Sequence, residues 1–213
     1  KYYMKINNVL VVEPHPDDGI IGCGGTIAKL IRENPKINIS DIYFCPCFED
    51  PRNKGNLEEH IKSLNILGVN EILYAGEMPR NEYLETHKQE CRDILYRIRE
   101  SYCPEIVFCP TPHDFHQDHN VVTQCCKLIF KDTSCIFGYE VIRSVTPSFK
   151  PNMFAILNKS DVSKKIRALE EWKSQLNYRF YFNKNNFIAN MRYRGIQAKT
   201  EYAEGFETLW LRV

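Results

Sequence analysis

The chain has 213 residues, a hydrophobic fraction of 43%, a charged fraction of 26% and a formal net charge of +1. This length supports one globular domain with its own core, and the near-zero charge argues against a dedicated nucleic-acid binder, whose basic excess would neutralise phosphates. No apolar run approaches a membrane span, and nine scattered cysteines suit buried thiols in a reducing, cytoplasmic setting better than a secreted disulfide scaffold.

Lys1 to Asn8 is too polar for the apolar region of a signal peptide. Val9 to Val12 reads as a buried strand, and Ile20 to Glu33 has helical spacing. Ile42 to Cys45 reads as a second strand, Leu57 to Leu67 as a helix stopped by Gly68, and Ile72 to Tyr74 as a short strand. Tyr83 to Tyr102 reads as one long amphipathic helix ending before Pro104, followed by a strand at Ile106 to Cys109. Phe115 to Phe130 is helical and Cys135 to Tyr139 a strand. Ser160 to Gln175 reads as a helix with Ser160 as N-cap, and Phe206 to Val213 as a closing strand. Strand and helix alternating in this way predict an α/β fold with a mostly parallel sheet flanked by helices. Residues 1–213 are read as one domain whose less regular last third is a C-terminal elaboration.

Open parallel sheets bind ligands beyond the carboxyl ends of their strands. Two polar stretches fall there. Pro14-His15-Pro16-Asp17-Asp18 follows the first strand, and His113-Asp114-Phe115-His116-Gln117-Asp118-His119 follows the strand at Ile106 to Cys109. Each has a plain structural reading as a strand-to-helix turn whose acidic residues suit the helix N-terminus. Three of the chain's six histidines nevertheless fall within those seven residues. His15, His119 and one of the two aspartates make a two-histidine, one-carboxylate set, which suits catalytic zinc and equally non-haem iron. The spare carboxylate can take a proton from water, and His116 can stabilise an oxyanion or protonate a leaving amine. Asp118 can orient His116 from behind. The residues thus point to metal-assisted hydrolysis of an amide or ester.

The sequence resembles the PIG-L/LmbE-like metal-dependent de-N-acetylases, whose His-Pro-Asp-Asp-Glu string is matched by His15-Pro16-Asp17-Asp18 and whose His-x-Asp-His string is matched by His116-Gln117-Asp118-His119. Gly22-Cys23-Gly24-Gly25-Thr26, Leu67-Gly68-Val69, Pro104 to Phe108, Gly138-Tyr139-Glu140, Ser174-Gln175, Arg194-Gly195 and Tyr202 to Glu207 extend the similarity over about residues 8 to 212, toward a bacterial branch. The resemblance implies a Rossmann-like fold without a dinucleotide; Ile27 occupies the third glycine position of a G-x-G-x-x-G pattern. It implies a divalent metal, most often Zn2+, held by His15, Asp18 and His119. It also implies Asp17 as general base, His116 as the group at the reacting carbonyl and amine, Asp118 behind His116, and Asp114 supporting the metal ligands. The implied reaction releases acetate from an N-acetylglucosamine-like sugar, either free or linked to a lipid or nucleotide. The near-neutral chain favours a neutral or modestly charged sugar over a polyanion.

Two positions depart from that pattern. Gly19 stands where the family has Glu, and Asn56 where many members have Arg before an acidic pair, here Glu58-Glu59. Arg80 and Arg52 are candidates to supply the positive group, and Glu140 is a further candidate substrate contact. The departures motivate an alternative, a non-catalytic sugar-binding relative. A non-haem iron oxygenase is a second alternative, disfavoured because its usual double-sheet β framework conflicts with the alternating pattern. Cys45-Pro46-Cys47 and Cys125-Cys126 lack structural-zinc spacing, and Cys109 alone is placed to reach the pocket wall. Arg192-Tyr193-Arg194 reads either as a contact to an anionic substituent or as a solvated strand edge.

Overall fold

The run Asn8–Glu13 forms β1, whose residues alternate between two cores. Val9 and Val11 pack on one face of the sheet with Ile20 and Ile27, whereas Leu10 and Val12 pack on the other with Leu95 and Val122. This two-sided burial is what a near-continuous apolar strand requires. The computed structural model describes residues 6–46, 56–76, 83–176 and 178–212. In chain order its elements are β1, α1 (Asp18–Glu33), β2 (Asn38–Tyr43), α2 (Asn56–Leu67), β3 (Glu71–Ala75), α3 (Tyr83–Thr86), α4 (Lys88–Tyr102), β4 (Ile106–Pro110), α5 (Gln117–Phe130), β5 (Cys135–Tyr139), β6 (Met153–Leu157), α6 (Lys159–Leu169), α7 (Lys173–Leu176), α8 (Lys184–Gln197) and β7 (Tyr202–Trp210).

The strands form one seven-stranded sheet in the order β3-β2-β1-β4-β5-β7-β6. The first five in sequence pair parallel, and β7 runs antiparallel between β5 and β6. The architecture is therefore the expected mostly parallel α/β sheet, and it is not the double-sheet β framework of the iron-oxygenase alternative. From β1 the chain moves outward to β2 and β3, then returns to β4 on the opposite side of β1. The switch point of the topology lies between β1 and β4, and a crevice opens there at the strands' carboxyl ends. Both histidine-bearing stretches leave those two strands.

Several elements differ from the sequence reading. β2 starts at Asn38 and stops before Cys45, because buried Ser40 and Asp41 interrupt the apolar run inside the strand. The predicted helix over Tyr83 to Tyr102 breaks at His87, which leaves helical geometry to become the N-cap of α4. Helix α5 begins at Gln117 because His116 is extended and caps it, with Asp114 accepting from the His116 amide. Helix α6 is capped by Asn158 in a capping box with Asp161, so Ser160 lies inside it, and the chain turns at Glu170 before the separate α7. The closing strand begins at Tyr202; its buried Glu204 and Glu207 disguise it as polar sequence. Strand β6 and helix α8 were not anticipated, and Arg192 to Arg194 lie on α8 rather than on a strand edge.

The glycine-rich stretch of α1 serves packing. A Cβ on Gly22 would meet the Tyr139 ring at 2.3 Å, and one on Gly25 would meet Leu157 at 2.6 Å and Glu204 Oε1 at 3.0 Å. The helix can approach β5, β6 and β7 this closely only without those side chains. Glu204 then takes the amides of Gly25 and Thr26 at 2.9 and 2.6 Å, and Lys165 Nζ bridges Glu204 and the Ile21 carbonyl, each at 2.6 Å. Among the described residues no helix is long and apolar enough to cross a membrane.

Candidate metal and catalytic site

A backbone bond from Asp18 N to His15 O, 3.1 Å, closes the turn after β1, with Pro16 at its second position, where a fixed φ suits it. The turn points His15 and Asp17 into the crevice. Asp17 occupies the N-cap position of α1, yet its side chain makes no cap bond, which leaves that carboxylate available. Asp18, the first helical residue, bends back: its Oδ2 accepts from the His15 amide at 3.0 Å and lies 3.0 Å from His15 Nδ1.

From the β4 side, α5 brings His119 in, with Nε2 at 3.2 Å from the same Asp18 oxygen. His119 Nδ1 is 3.0 Å from Asp114 Oδ2, which also accepts from the Ser144 hydroxyl at 2.9 Å. Asp114 thus fixes the imidazole so that Nε2 faces the site. His15, Asp18 and His119 offer ligand atoms within 4.8 Å of one another. Two imidazoles converging on one carboxylate oxygen, with their outer partners in place, fit a divalent metal.

His116 stacks on His119 at 4.7 Å between ring centroids and meets His15 edge-on at 4.8 Å. The Asp118 amide donates to His116 Nδ1 at 3.3 Å, so the neutral ring carries its proton on Nε2. Asp118, expected behind His116, lies closer to His15: its Oδ2 is 3.4 Å from His15 Nε2 and 4.0 Å from His116 Nδ1, while its Oδ1 accepts from the Leu84 amide at 2.9 Å. Asp118 therefore ties the site to α3, a contact the sequence did not suggest.

The electrostatics separate the groups. Burial and the adjacent Asp18 charge push Asp17 up to about 6, so it is a stronger base than a surface carboxylate and still ionised at neutral pH. Burial opposes the charge on Asp18, but the facing His119 and His15 hold its carboxyl well below the usual range. Burial likewise opposes protonation of His15 and His119, yet their carboxylate partners raise them to about 9 and about 10 in the metal-free protein. Burial and the two neighbouring imidazoles lower His116 to about 4 and keep it neutral. Burial opposes the charge on Asp118 as well, and its bonds to His15 and the Leu84 amide outweigh that and hold it low.

His15, Asp17, Asp18, His116 and His119 line an open cleft of about 620 Å³ whose far wall comes from later in the chain: Val141, Arg143, Ser144, Gln175, Arg179 and Tyr181. The segment around Ser144 is held against the second histidine stretch by Phe115 N to Ser144 O at 2.9 Å and Thr146 N to His113 O at 2.8 Å. Ser174 is held by Glu59, whose Oε2 is 2.6 Å from its hydroxyl, and by Asn56 at 3.0 Å. Asn56 itself lines the cleft, and Arg143 and Arg179 bring guanidinium groups to it. Only Ser174-Gln175 hinted at this wall in the sequence; Arg143 and Arg179 are single arginines among apolar and aromatic neighbours, Ile142 and Val145 for one and Tyr178 and Phe180 for the other.

Arg52 and Arg80 lie outside the described residues, as does Cys47. Glu140 does not line the cleft: it is buried in a two-pronged pair with Arg194, at 2.7 and 2.6 Å, with Asn190 donating at 3.1 Å. That pair leaves Arg194 no role toward an anionic substituent. Cys109 is buried beside Cys126 in the core and does not line the cleft.

The family model described as "PIG-L: GlcNAc-PI de-N-acetylase" matches residues 10–130. The chain is 28% identical to an uncharacterized deacetylase, YaiS, of Escherichia coli strain K12, over 80% of this chain and 92% of that protein. It is 26% identical to the diacetylchitobiose deacetylase of Thermococcus kodakarensis, over 98% of this chain and 75% of that one. Its fold matches the N,N'-diacetylchitobiose deacetylase of Pyrococcus horikoshii with a TM-score of 0.74 at 22% identity, over 96% and 84% of the two chains.

Proposed function

The chain belongs to the PIG-L family, and from that premise we propose that it is a zinc-dependent N-deacetylase that releases acetate from an N-acetylglucosamine-like sugar or glycoconjugate precursor. The observation that carries this reading is the uncommitted Asp17 carboxylate, half-buried and raised to about 6, in the same cleft as His15, Asp18, His119 and His116. A metal held by His15, Asp18 and His119 supplies a Lewis acid for the acetyl carbonyl and a more acidic water.

The protein's own groups do the rest. Asp17 takes the proton from the attacking water. His116, neutral and bearing its proton on Nε2, donates a hydrogen bond to the developing oxyanion and keeps that proton, while the proton that Asp17 took from water passes to the departing amine. Asp114 and Asp118 hold His119 and His15 in register for that work. Arg143 and Arg179 line the same cleft and suit sugar hydroxyls or the phosphate of a nucleotide- or lipid-linked sugar. The retained side chains disfavour the non-catalytic alternative.

The test is an acetate-release screen with zinc-loaded protein over N-acetylated free, nucleotide-linked and lipid-linked sugars. Acetate release in step with appearance of a free amine is expected from at least one class. Saturable binding of these sugars without acetate release, with zinc, cobalt and manganese each supplied, would establish the sugar-binding reading instead.

A further inference from the structure

Behind the cleft three fully buried polar side chains meet: Glu13 at the end of β1, Asp41 on β2 and His60 on α2, each offering an oxygen or nitrogen within 4.8 Å of the others. His60 Nε2 is 2.9 Å from Asp41 Oδ2, and the Tyr43 and Trp172 rings pack around the imidazole at 5.2 and 6.0 Å. None of the three lines the cleft. Burying two carboxyl groups and an imidazole together costs free energy that an apolar core would not, so their placement calls for a local reason.

Glu13 provides one. Its Oε2 accepts from the Gly19 amide at 2.9 Å. Gly19 is the second residue of α1 and directly follows Asp18. The amides of a first helical turn need acceptors from outside the helix, and Asp17 at the N-cap makes no such bond, while Asp18 faces the imidazoles. A Cβ built on Gly19 would lie 2.6 Å from Glu13 Oε1 and 2.8 Å from Glu13 Cδ. Val11 Cγ1 would lie 2.7 Å from the same Cβ, so the Glu13 carboxyl group and the Val11 side chain together fill the volume into which any side chain at position 19 would project.

We propose that Glu13 is a positioning residue: reaching across from β1, it supplies the carboxyl group that anchors the first turn of α1 at Gly19 and so sets where Asp17 and Asp18 present their side chains. Asp41 and His60 back that carboxyl group from the opposite side. Gly19 is the complement of the device rather than a loss, because a carboxyl group delivered from β1 and a side chain at position 19 exclude each other. This inference rests on the proposed metal site only where zinc affinity is read.

The experiment compares Glu13→Ala, Glu13→Gln and Gly19→Ala. It reads hydrogen exchange of the Gly19 amide in metal-free protein and zinc affinity by competition with a chromophoric chelator. Glu13→Ala should unprotect the Gly19 amide and weaken zinc binding by about 10- to 100-fold, the usual cost of removing an outer partner. Glu13→Gln should stay close to wild type in both, because its amide oxygen still accepts from Gly19. Gly19→Ala should behave like Glu13→Ala, because its Cβ would displace the Glu13 carboxyl group.

A folded Glu13→Ala protein with wild-type protection at Gly19 and wild-type zinc affinity overturns the proposal, as does a Glu13→Gln protein as defective as Glu13→Ala. Should Glu13→Ala not fold, Gly19→Ala and Glu13→Gln give the same contrast. Gly19 exchange is read without metal, so it decides the anchoring separately from the zinc-deacetylase reading.

Discussion

His119 Nδ1 lies 3.0 Å from Asp114 Oδ2 while its Nε2 lies 3.2 Å from Asp18 Oδ2, so one imidazole bridges two carboxylates. Asp114 is buried and receives a second bond from Ser144. Replacing it by Ala should leave the fold in place and weaken zinc binding by about 10- to 100-fold, because His119 loses its fixed orientation. Asp114→Asn, whose side-chain oxygen can still accept, should fall between the two. Equilibrium dialysis against buffered zinc measures the difference.

Asp17→Asn should reduce turnover by about 10²- to 10⁴-fold, the usual contribution of a positioned base. It should leave zinc content near wild type, since the convergent ligand atoms belong to His15, Asp18 and His119. Metal analysis and acetate release on the same preparation check both halves. Acetate release at the wild-type rate would remove Asp17 from the chemistry.

Protons and metal compete for the same nitrogens. In metal-free protein His15 and His119 are raised to about 9 and about 10, against an unperturbed value of about 6.5. Zinc uptake at pH 7 should therefore release about two protons, seen by titration calorimetry in buffers of different ionisation enthalpy. The sign for stability follows from the same values. Both folded values are raised, so their contribution is complete below about pH 6.5 and is lost as pH climbs through about 9 to 10. The Tm of metal-free protein should fall between pH 7 and pH 10.

Lys165 and Glu204 are both buried and 2.6 Å apart, joining α6 to β7 across α1. Lys165→Met leaves a buried carboxylate with its cation gone and should cost about 3–5 kcal/mol. Changing both residues to apolar ones should cost less than Lys165→Met alone, although the Gly25 and Thr26 amides then lose their acceptor. Urea unfolding of the single and double variants tests the ordering.

How much of this was legible in the sequence depended on whether chemistry and pattern coincided. β1 and β4 read clearly because Val9 to Val12 and Ile106 to Cys109 are buried on both faces, and their carboxyl ends located the two histidine stretches. The closing strand reads from Phe206, but its start at Tyr202 does not, because Glu204 and Glu207 point inward, where pattern reading expects apolar residues. Helix α8 was missed because its apolar residues, Phe187 and Met191 among them, are separated by polar asparagines and arginines that blur one face. The far wall of the cleft was hidden for another reason. Arg143 adjoins Ser144, which accepts from the Phe115 amide, and Arg179 is bonded to Gln175, next to the Ser174 that Glu59 holds, and no local spacing encodes such contacts to residues much earlier in the chain. Glu13 carries a signal visible only in hindsight, a lone acidic residue ending an otherwise apolar strand opposite a glycine.

The placement of β7 also bears on how the protein is made. Among the described residues β6 pairs only with β7, and β7 alone connects it to β5. While the ribosome is still delivering the residues before Tyr202, β1 to β5 can assemble, but β6 has no neighbour to zip against and β5 keeps an open flank. Glu204 arrives late as well, so α1 waits with the Gly25 and Thr26 amides unclaimed although it emerged early. The nascent chain therefore passes through a stage in which the histidines and aspartates of the cleft are synthesised and their scaffold is not yet closed, an interval in which an open strand edge invites chaperone protection.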